Sequence, residues 1–415
     1  MKMDFLKRIN GITIIIALLT FVLGWQLGNR DFKLKVSDLR PEVSFSNNTA
    51  PDKQSVDFKL FWQVWDLASS EYVDKNAVDP QKMFYGAIQG MVAALGDPYT
   101  VFLPPQEQKS TQEEIGGSFE GVGIQLGYDK EKRLAVIAPV KDTPADKAGI
   151  LAGDLIVKIA DKDAGGLSLP EAVNLIRGEK GTIIKLEIYH AGDAKTKTVE
   201  LKRDTIVVKS VEFEQKTTPA GKKVALIKLS RFGERTFEEW TKSVSDTLAS
   251  APQAVILDMR NNPGGLLDGA VFIGSEFIKT GDIVLQENSK GVRIPYKVNR
   301  EGKLLDIPVL VLINKGSASA SEIVAGAIQD TKRGKLVGET SFGKGTIQES
   351  QDLPEKTGIH ITTAKWLTPM GRWIHQKGLE PDIKVELTEE QIKEQVADEN
   401  KDFQLEKALE EVDKL

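Results

Sequence analysis

Residues 307–314, Ile-Pro-Val-Leu-Val-Leu-Ile-Asn, make an apolar run without alternation, and it passes directly into Lys315-Gly316-Ser317-Ala318-Ser319-Ala320-Ser321-Glu322. A strand with one face in water alternates apolar and polar residues; one that does not alternate has to be covered on both faces. The surrounding chain supplies the cover. From Val211 to Val385, strand-like and helix-like segments follow one another: "VALIKLSRF", the amphipathic "RTFEEWTKSVSDTLAS", "AVILDMR", the turn "NNPGG" with a helix from about Leu266, the helical "EIVAGAIQDT", and the strands "KLVGE" and "GIHITTAKWL". This order predicts a mixed α/β core.

The three alternate serines pack little, so a core role does not explain them. Ser319-Ala320-Ser321-Glu322 fits the capping box, in which a serine hydroxyl and a glutamate satisfy reciprocal backbone donors. The same place suits a nucleophile, because a helix N-terminus offers free N–H groups and a positive dipole end. A nucleophilic hydroxyl needs a base. The chain has three histidines, His190, His360 and His375, and none lies in a matched motif; His360 and His375 read as packing residues. Lys344, in "VGETSFGKGTIQ", is the other option. Burial without a carboxylate partner lowers a lysine amine toward neutrality, and Gly343 and Gly345 permit close approach of the chain. That segment also matches the start of a nucleotide-binding loop, Gly338-x-x-x-x-Gly343-Lys344. Gly345 stands where a Mg²⁺-binding Ser or Thr belongs, and no helical period follows, which argues against phosphate binding.

Composition removes other classes. The absence of cysteine excludes disulfides, thiolate catalysis and Cys-based zinc sites. A net charge of −5 without a basic block argues against nucleic acid as a partner. Lys2, Lys7 and Arg8 precede residues 11–28, an apolar run of about 18 residues at the lower limit for a membrane span, with no A-x-A cleavage pattern after it. Residues 1–30 are therefore expected to be an uncleaved membrane anchor or a cleaved signal peptide, and the rest of the chain extracytoplasmic. Residues 31–54 read as a polar linker. Residues 55–115 read as a helical region, with Leu60, Phe61, Val64 and Leu67, then Met83, Ala87, Met91 and Leu95, at helical spacing. In 386–415, Leu405, Leu409 and Val412 share a helical face, which predicts a docking or homodimerising helix, with a solvated tail as the alternative.

Residues 116–203, with "GVGIQL", "TPADKAGILAGDLIVKIADKD" and "LIRGEKGTIIKLEIYH", resemble a PDZ domain of the type found in bacterial proteases. "KGSASASEIVAGAIQD", "GETSFGKGTIQ", "LDMRNNPGG", "TTAKWLTPMGRWIHQKGLEPDI" and the earlier "ALGDPYTVFLPPQE" together resemble the carboxyl-terminal processing or tail-specific proteases, serine peptidase family S41, from about Val56 to Val385. The resemblance implies a ClpP/crotonase-like protease core, residues 204–385, with an inserted PDZ domain and flanking helical segments. It implies that Ser319 is the nucleophile and Lys344 the general base, with Gln348 assisting and Asp330 supporting. The backbone N–H groups of Ala320 and Gly265, with Gly264 a close competitor, would form the oxyanion hole. In the PDZ domain, Gly121, Val122, Gly123 and Ile124 would take the terminal carboxylate and last side chain of a peptide, and Arg177 would signal its presence. Asp258 and Arg260 are expected to orient the glycine turn. No metal, nucleotide or redox cofactor is implied, and the partners are protein or peptide substrates with free C-termini. Two other readings are an inactive peptide-binding scaffold, in which Ser319 only caps a helix, and a hydrolase of small acyl compounds.

Overall fold

The computed structural model describes residues 31–37, 40–46, 57–190, 192–398 and 401–415. The apolar segment 11–28 lies outside the described residues, and among these no helix is long and apolar enough to cross a membrane. The chain divides into two compact units, 1–83 and 84–415.

In the first unit, β1 (Asp31–Ser37) and β2 (Arg40–Ser46) pair antiparallel, Asp31 opposite Ser46 and Ser37 opposite Arg40. Both strands fall within the segment 31–54 that reads as a polar linker. Phe32, Leu34 and Val36, then Val43 and Phe45, recur at the two-residue period of a strand. Helix α1 (Lys59–Glu71) follows, and α2 (Pro80–Ala93) begins near the end of this unit.

The second unit opens with β3 (Val101–Leu103), α3 (Pro105–Gly116) and β4 (Ser118–Gly121). A small domain comes next: β5 (Ile124–Tyr128), β6 (Leu134–Pro139), α4 (Pro144–Lys147), β7 (Leu155–Ile159), β8 (Lys162–Asp163), α5 (Leu169–Ile176), β9 (Ile183–Tyr189) and β10 (Lys197–Lys202). Its sheet runs β10-β9-β7-β6-β5, so β5 is an edge strand with a free row of backbone groups. Val136, Ile150, Ile156, Ile159, Leu186 and Leu201 fill its core. At the root of the domain, β4 pairs antiparallel with β11 (Asp204–Val207), so the chain enters and leaves side by side.

The remaining elements are β12 (Val211–Thr217), β13 (Lys223–Leu229), α6 (Thr236–Ser250), β14 (Ala254–Asp258), α7 (Leu267–Phe277), β15 (Asp282–Asn288), β16 (Arg293–Lys297), β17 (Val309–Ile313), α8 (Ala320–Asp330), β18 (Gly334–Gly338), β19 (Thr346–Asp352), β20 (Gly358–Leu367), β21 (Ile383–Lys384), α9 (Glu389–Ala397) and α10 (Phe403–Val412). One sheet runs β12-β13-β14-β17-β18-β21, parallel except for β12. A second, antiparallel sheet runs β16-β15-β20-β19, and β3 adds to β20 with Val101 opposite His360.

Strand β17 explains the unbroken apolar run. Val309, Val311 and Ile313 enter the core that holds Trp240 of α6, Phe277 of α7 and Val324 of α8. Leu310 and Leu312 face the other way, against Ala408 and Val412 of α10, with Leu405 and Leu409 at its margin. The C-terminal helix therefore docks on its own sheet. Ala408→Asp would put an unpaired carboxylate into that face, and the expected loss is roughly 2–4 kcal/mol of stability, read as a lower urea midpoint. An unchanged midpoint would mean that α10 leaves the sheet.

Candidate active site

The serines occupy the turn between β17 and α8, and the structure separates their roles. Ser317 and Ser321 are buried and their hydroxyls are used: Ser317 Oγ donates to the Met259 carbonyl at 2.8 Å, and Ser321 Oγ to the Asn262 carbonyl at 2.9 Å. Both bonds tie the turn to the "MRNNPGG" segment. Ser319 lies between them with φ 55° and ψ −114°, a backbone conformation that L-residues rarely adopt and that costs about 1–3 kcal/mol. Its side chain and Glu322 take up the capping-box arrangement, yet only the glutamate half is a full hydrogen bond: Ser319 N–H donates to Glu322 Oε2 at 2.8 Å, and the hydroxyl closes no cap bond.

Against this hydroxyl lies the glycine turn. A Cβ on Gly264 would sit 2.8 Å from Ser319 Cβ and 2.9 Å from Ala320 N, so only glycine fits. The Gly264 N–H is spent on Asn262 Oδ1 at 2.9 Å. The N–H groups of Gly265 and Ala320 meet no protein acceptor among the described residues. Of the two competing glycines, Gly265 is thus the one with a free donor, and Ala320 adds the first N–H of α8.

Lys344 reaches the same place through Glu322. In the loop from β18 to β19, Glu322 Oε1 accepts from the Ser341 hydroxyl and from Gly343 N–H, both at 2.6 Å, while Oε2 accepts from Lys344 N–H at 2.9 Å. One buried carboxylate oxygen therefore holds the backbone N–H of both Ser319 and Lys344. Phe342 N–H adds a bond to the Ser317 carbonyl at 2.9 Å. Burial pushes the Glu322 pKa up, against the four donors that pull it down. Burial pushes the Lys344 amine below its ordinary 10.5, against the opposing charges of Asp97 and Glu322. Nζ lies 4.8 Å from the centroid of the Tyr99 ring and makes no hydrogen bond or ion pair with a described residue.

The loop is clamped on its far side. Trp366 Nε1 donates to the Lys344 carbonyl at 2.8 Å and Trp373 Nε1 to the Gly345 carbonyl at 2.9 Å; Gly345 N–H donates to His375 Nδ1 at 3.3 Å. A Cβ on Gly345 would stand 2.9 Å from His375 N, the close approach that calls for glycine there. His375 stacks on Trp373 at 5.3 Å, so it packs as expected, with the added role of loop acceptor. The loop enters β19 without a helix, which removes the nucleotide-loop reading.

Asp330 and Gln348, expected to support and to assist, have partners of their own. Asp330 is at the opposite end of the 11-residue α8, about 16 Å along its axis from Ser319. It accepts from Met370 N–H at 2.9 Å and pairs with Arg372, so it fastens the helix end. Gln348 Nε2 donates to Thr346 Oγ1 at 2.9 Å and Thr362 Oγ1 at 3.0 Å, and it makes no hydrogen bond to Lys344; a register shift falls between Ile347 and Gln348. Asp258 and Arg260, just ahead of the glycine turn, pair with each other and with the start of α10: Arg260 donates from Nη2 to Asp258 Oδ2 and to Asp402 Oδ2, both at 2.6 Å. The contacts of Glu322 with both loops and of Tyr99 with the amine had no distinct signal in the sequence. The S-x-x-E spacing signalled only a cap, and "GDPYT" only a turn.

In the small domain, Val122 and Gly123 link β4 to the edge strand β5, and no protein acceptor takes either N–H among the described residues. Gly123 has φ 80°, and a Cβ there would strike the Thr143 side chain at 2.3 Å. Beside the loop is a groove of about 110 Å³ lined by Phe119, Ile124, Leu126, Val173, Ile176 and Arg177. Arg177 lies 4.6 Å over the Phe119 ring and donates to Glu113 Oε2 of α3 at 3.1 Å.

Comparison with known proteins bears on this arrangement. Residues 223–385 match peptidase family S41, 136–189 a PDZ domain, and 20–107 the activating protease CtpB N-terminal domain. The chain is 39% identical over 326 residues to the carboxy-terminal processing protease CtpA of Bacillus subtilis, covering 78% of this chain and 68% of that one. With CtpB of the same organism it shares 37% over 324 residues, 78% and 66% of the two chains. A solved structure from Bacteroides fragilis, named provisionally as an S41 protease, is similar in fold at a TM-score of 0.51 and 16% identity, covering 81% of this chain and 92% of that one.

Glu322→Gln tests the shared carboxylate. It would turn an NH₂ donor toward backbone donors, at about 1–3 kcal/mol, and peptidase activity is expected to fall roughly tenfold or more while the fold persists. Activity equal to wild type would show that the two loops hold together without it.

Proposed function

The chain belongs to peptidase family S41, the carboxy-terminal processing serine proteases, and on that premise we propose that it is an endopeptidase with a Ser319–Lys344 dyad that acts on proteins presenting a free C-terminal tail. One observation carries the reading: a single buried carboxylate binds the backbone N–H of both residues, while the serine hydroxyl and the lysine amine are left without hydrogen bonds to described residues. A structural cap would use its hydroxyl, and a structural lysine would hold a partner.

In the proposed reaction, Ser319 Oγ attacks the scissile carbonyl as neutral Lys344 takes its proton. The negative oxygen of the tetrahedral adduct lies against the N–H groups of Gly265 and Ala320, donors commonly worth about 3–4 kcal/mol each in the transition state. As the C–N bond breaks, the Lys344 ammonium returns the proton to the leaving amine. Water then attacks the acyl-enzyme with Lys344 again as base, which releases the new carboxyl terminus and restores Ser319. Gln348 serves the amine once its amide exchanges Thr346 and Thr362 for Nζ.

The substrate tail is proposed to lie along the free edge of β5, its carboxylate on the N–H groups of Val122 and Gly123 and its last side chain among Ile124, Leu126, Val173 and Ile176. The apolar segment 11–28 would hold the enzyme at the outer face of a membrane.

Purified protein incubated with an unfolded chain is expected to cleave it, and Ser319→Ala and Lys344→Ala to lose about 10³-fold or more. Full activity in either variant would end the dyad reading. Because burial lowers the lysine pKa, kcat/KM is expected to rise with pH through a value below 10.5 and then level off. Amidating the substrate C-terminus is expected to raise KM with little change in kcat, and an unchanged KM would remove the tail-binding role.

A further inference from the structure

The lysine amine stands against a group that the dyad and the oxyanion turn leave unused. The Tyr99 ring comes from the turn ahead of β3, and Nζ of Lys344 lies over its face at 4.8 Å, inside the range in which an aromatic face attracts a cation. The charged and titratable groups that face the amine from the surrounding elements are Asp97 of the same turn, Glu322 of α8 and His360 of β20, all acting through space. None hydrogen-bonds to it.

Tyr99 is itself held. Its N–H donates to Asp97 Oδ1 at 3.1 Å, and Thr100 Oγ1 donates to Asp97 Oδ2 at 2.7 Å. The same Thr100 oxygen accepts from Thr362 N–H on β20 at 3.0 Å. The ring edge meets His375 at 6.4 Å and 69°. The turn is thereby fastened to the strand that also carries Thr362, the residue that holds Gln348.

We infer that Tyr99 is a positioning residue for the base, its ring face holding the Lys344 side chain in the free enzyme and partly favouring the ammonium. This inference rests on the dyad reading. The chemistry explains the choice of an aromatic face. A carboxylate in contact with Nζ would bind the proton too firmly for a base, and an aliphatic wall would leave the side chain without a preferred place. An aromatic face attracts the charged form more weakly and offers no lone pair on which to lock the proton.

The test measures the pH dependence of kcat/KM, which reports groups of the free enzyme. It uses the full chain and an internally quenched peptide with a free C-terminus. Tyr99→Phe keeps the face and is expected to keep the acid limb in place. Tyr99→Leu, or trifluorophenylalanine at position 99, removes the negative face, so the ammonium loses support; the acid limb is expected to move down by about half a pH unit. The plateau is expected to drop severalfold in the same proteins. The fluorinated ring keeps the shape of the side chain, so it decides the matter if the leucine variant does not fold. An acid limb that stays at the wild-type pH in the fluorinated protein overturns the inference. Lys344→Ala, run in parallel, separates the two claims: its inactivity keeps the dyad whatever Tyr99 does, and its activity would remove both.

Discussion

The Glu322 carboxylate is the interaction on which the site depends. Two stretches of chain, the turn before α8 and the loop before β19, each present backbone N–H groups that would be unsatisfied if buried alone. One acceptor, placed three residues after Ser319, takes donors from both. Its position at the start of α8 favours negative charge through the helix dipole, while its burial opposes it. The four donors make the buried charge tolerable, and the charge in turn fixes the separation of the two loops.

The sheet supplies the rigidity that this arrangement needs. Strand β17 is covered on one face by α8 and its neighbours and on the other by α10, so the turn that leaves its end has little freedom. Ser317 and Ser321 then fasten that turn to the segment after β14, which carries the glycines of the proposed oxyanion hole. Strain at Ser319 persists because hydrogen bonds on both sides over-determine it. Of the three serines, the hydroxyl without a hydrogen bond to a described residue is that of the proposed nucleophile.

The small domain is inserted between β4 and β11, which pair with each other. An insertion built that way leaves the core elements on either side free to pack together. Hence β3, ahead of the domain in sequence, joins β20 of the core and carries Tyr99 to the lysine. The Glu113–Arg177 pair links α3 to the edge of the groove, so the same stretch of chain touches both the groove and, at its start, the amine.

Much of this was written in local patterns. The non-alternating run Val309–Ile313 required cover on two faces, the S-x-x-E spacing marked a helix start, and the glycines around Lys344 marked a close approach; each depends on torsions and side chains within a few residues. The alternation in 31–46 was equally local but was hidden by polar composition. What the sequence could not express was which distant groups meet. That Glu322 binds both loops, that Gly264 spends its N–H while Gly265 finds no acceptor among the described residues, that Gln348 bonds to Thr362, that Asp330 fastens the far end of its helix to Arg372, and that an aromatic ring from before the inserted domain lies by the amine all follow from sheet register and packing. Those relations join residues far apart in the chain, and no short-range propensity encodes them; only the folded arrangement of strands and helices sets the distances.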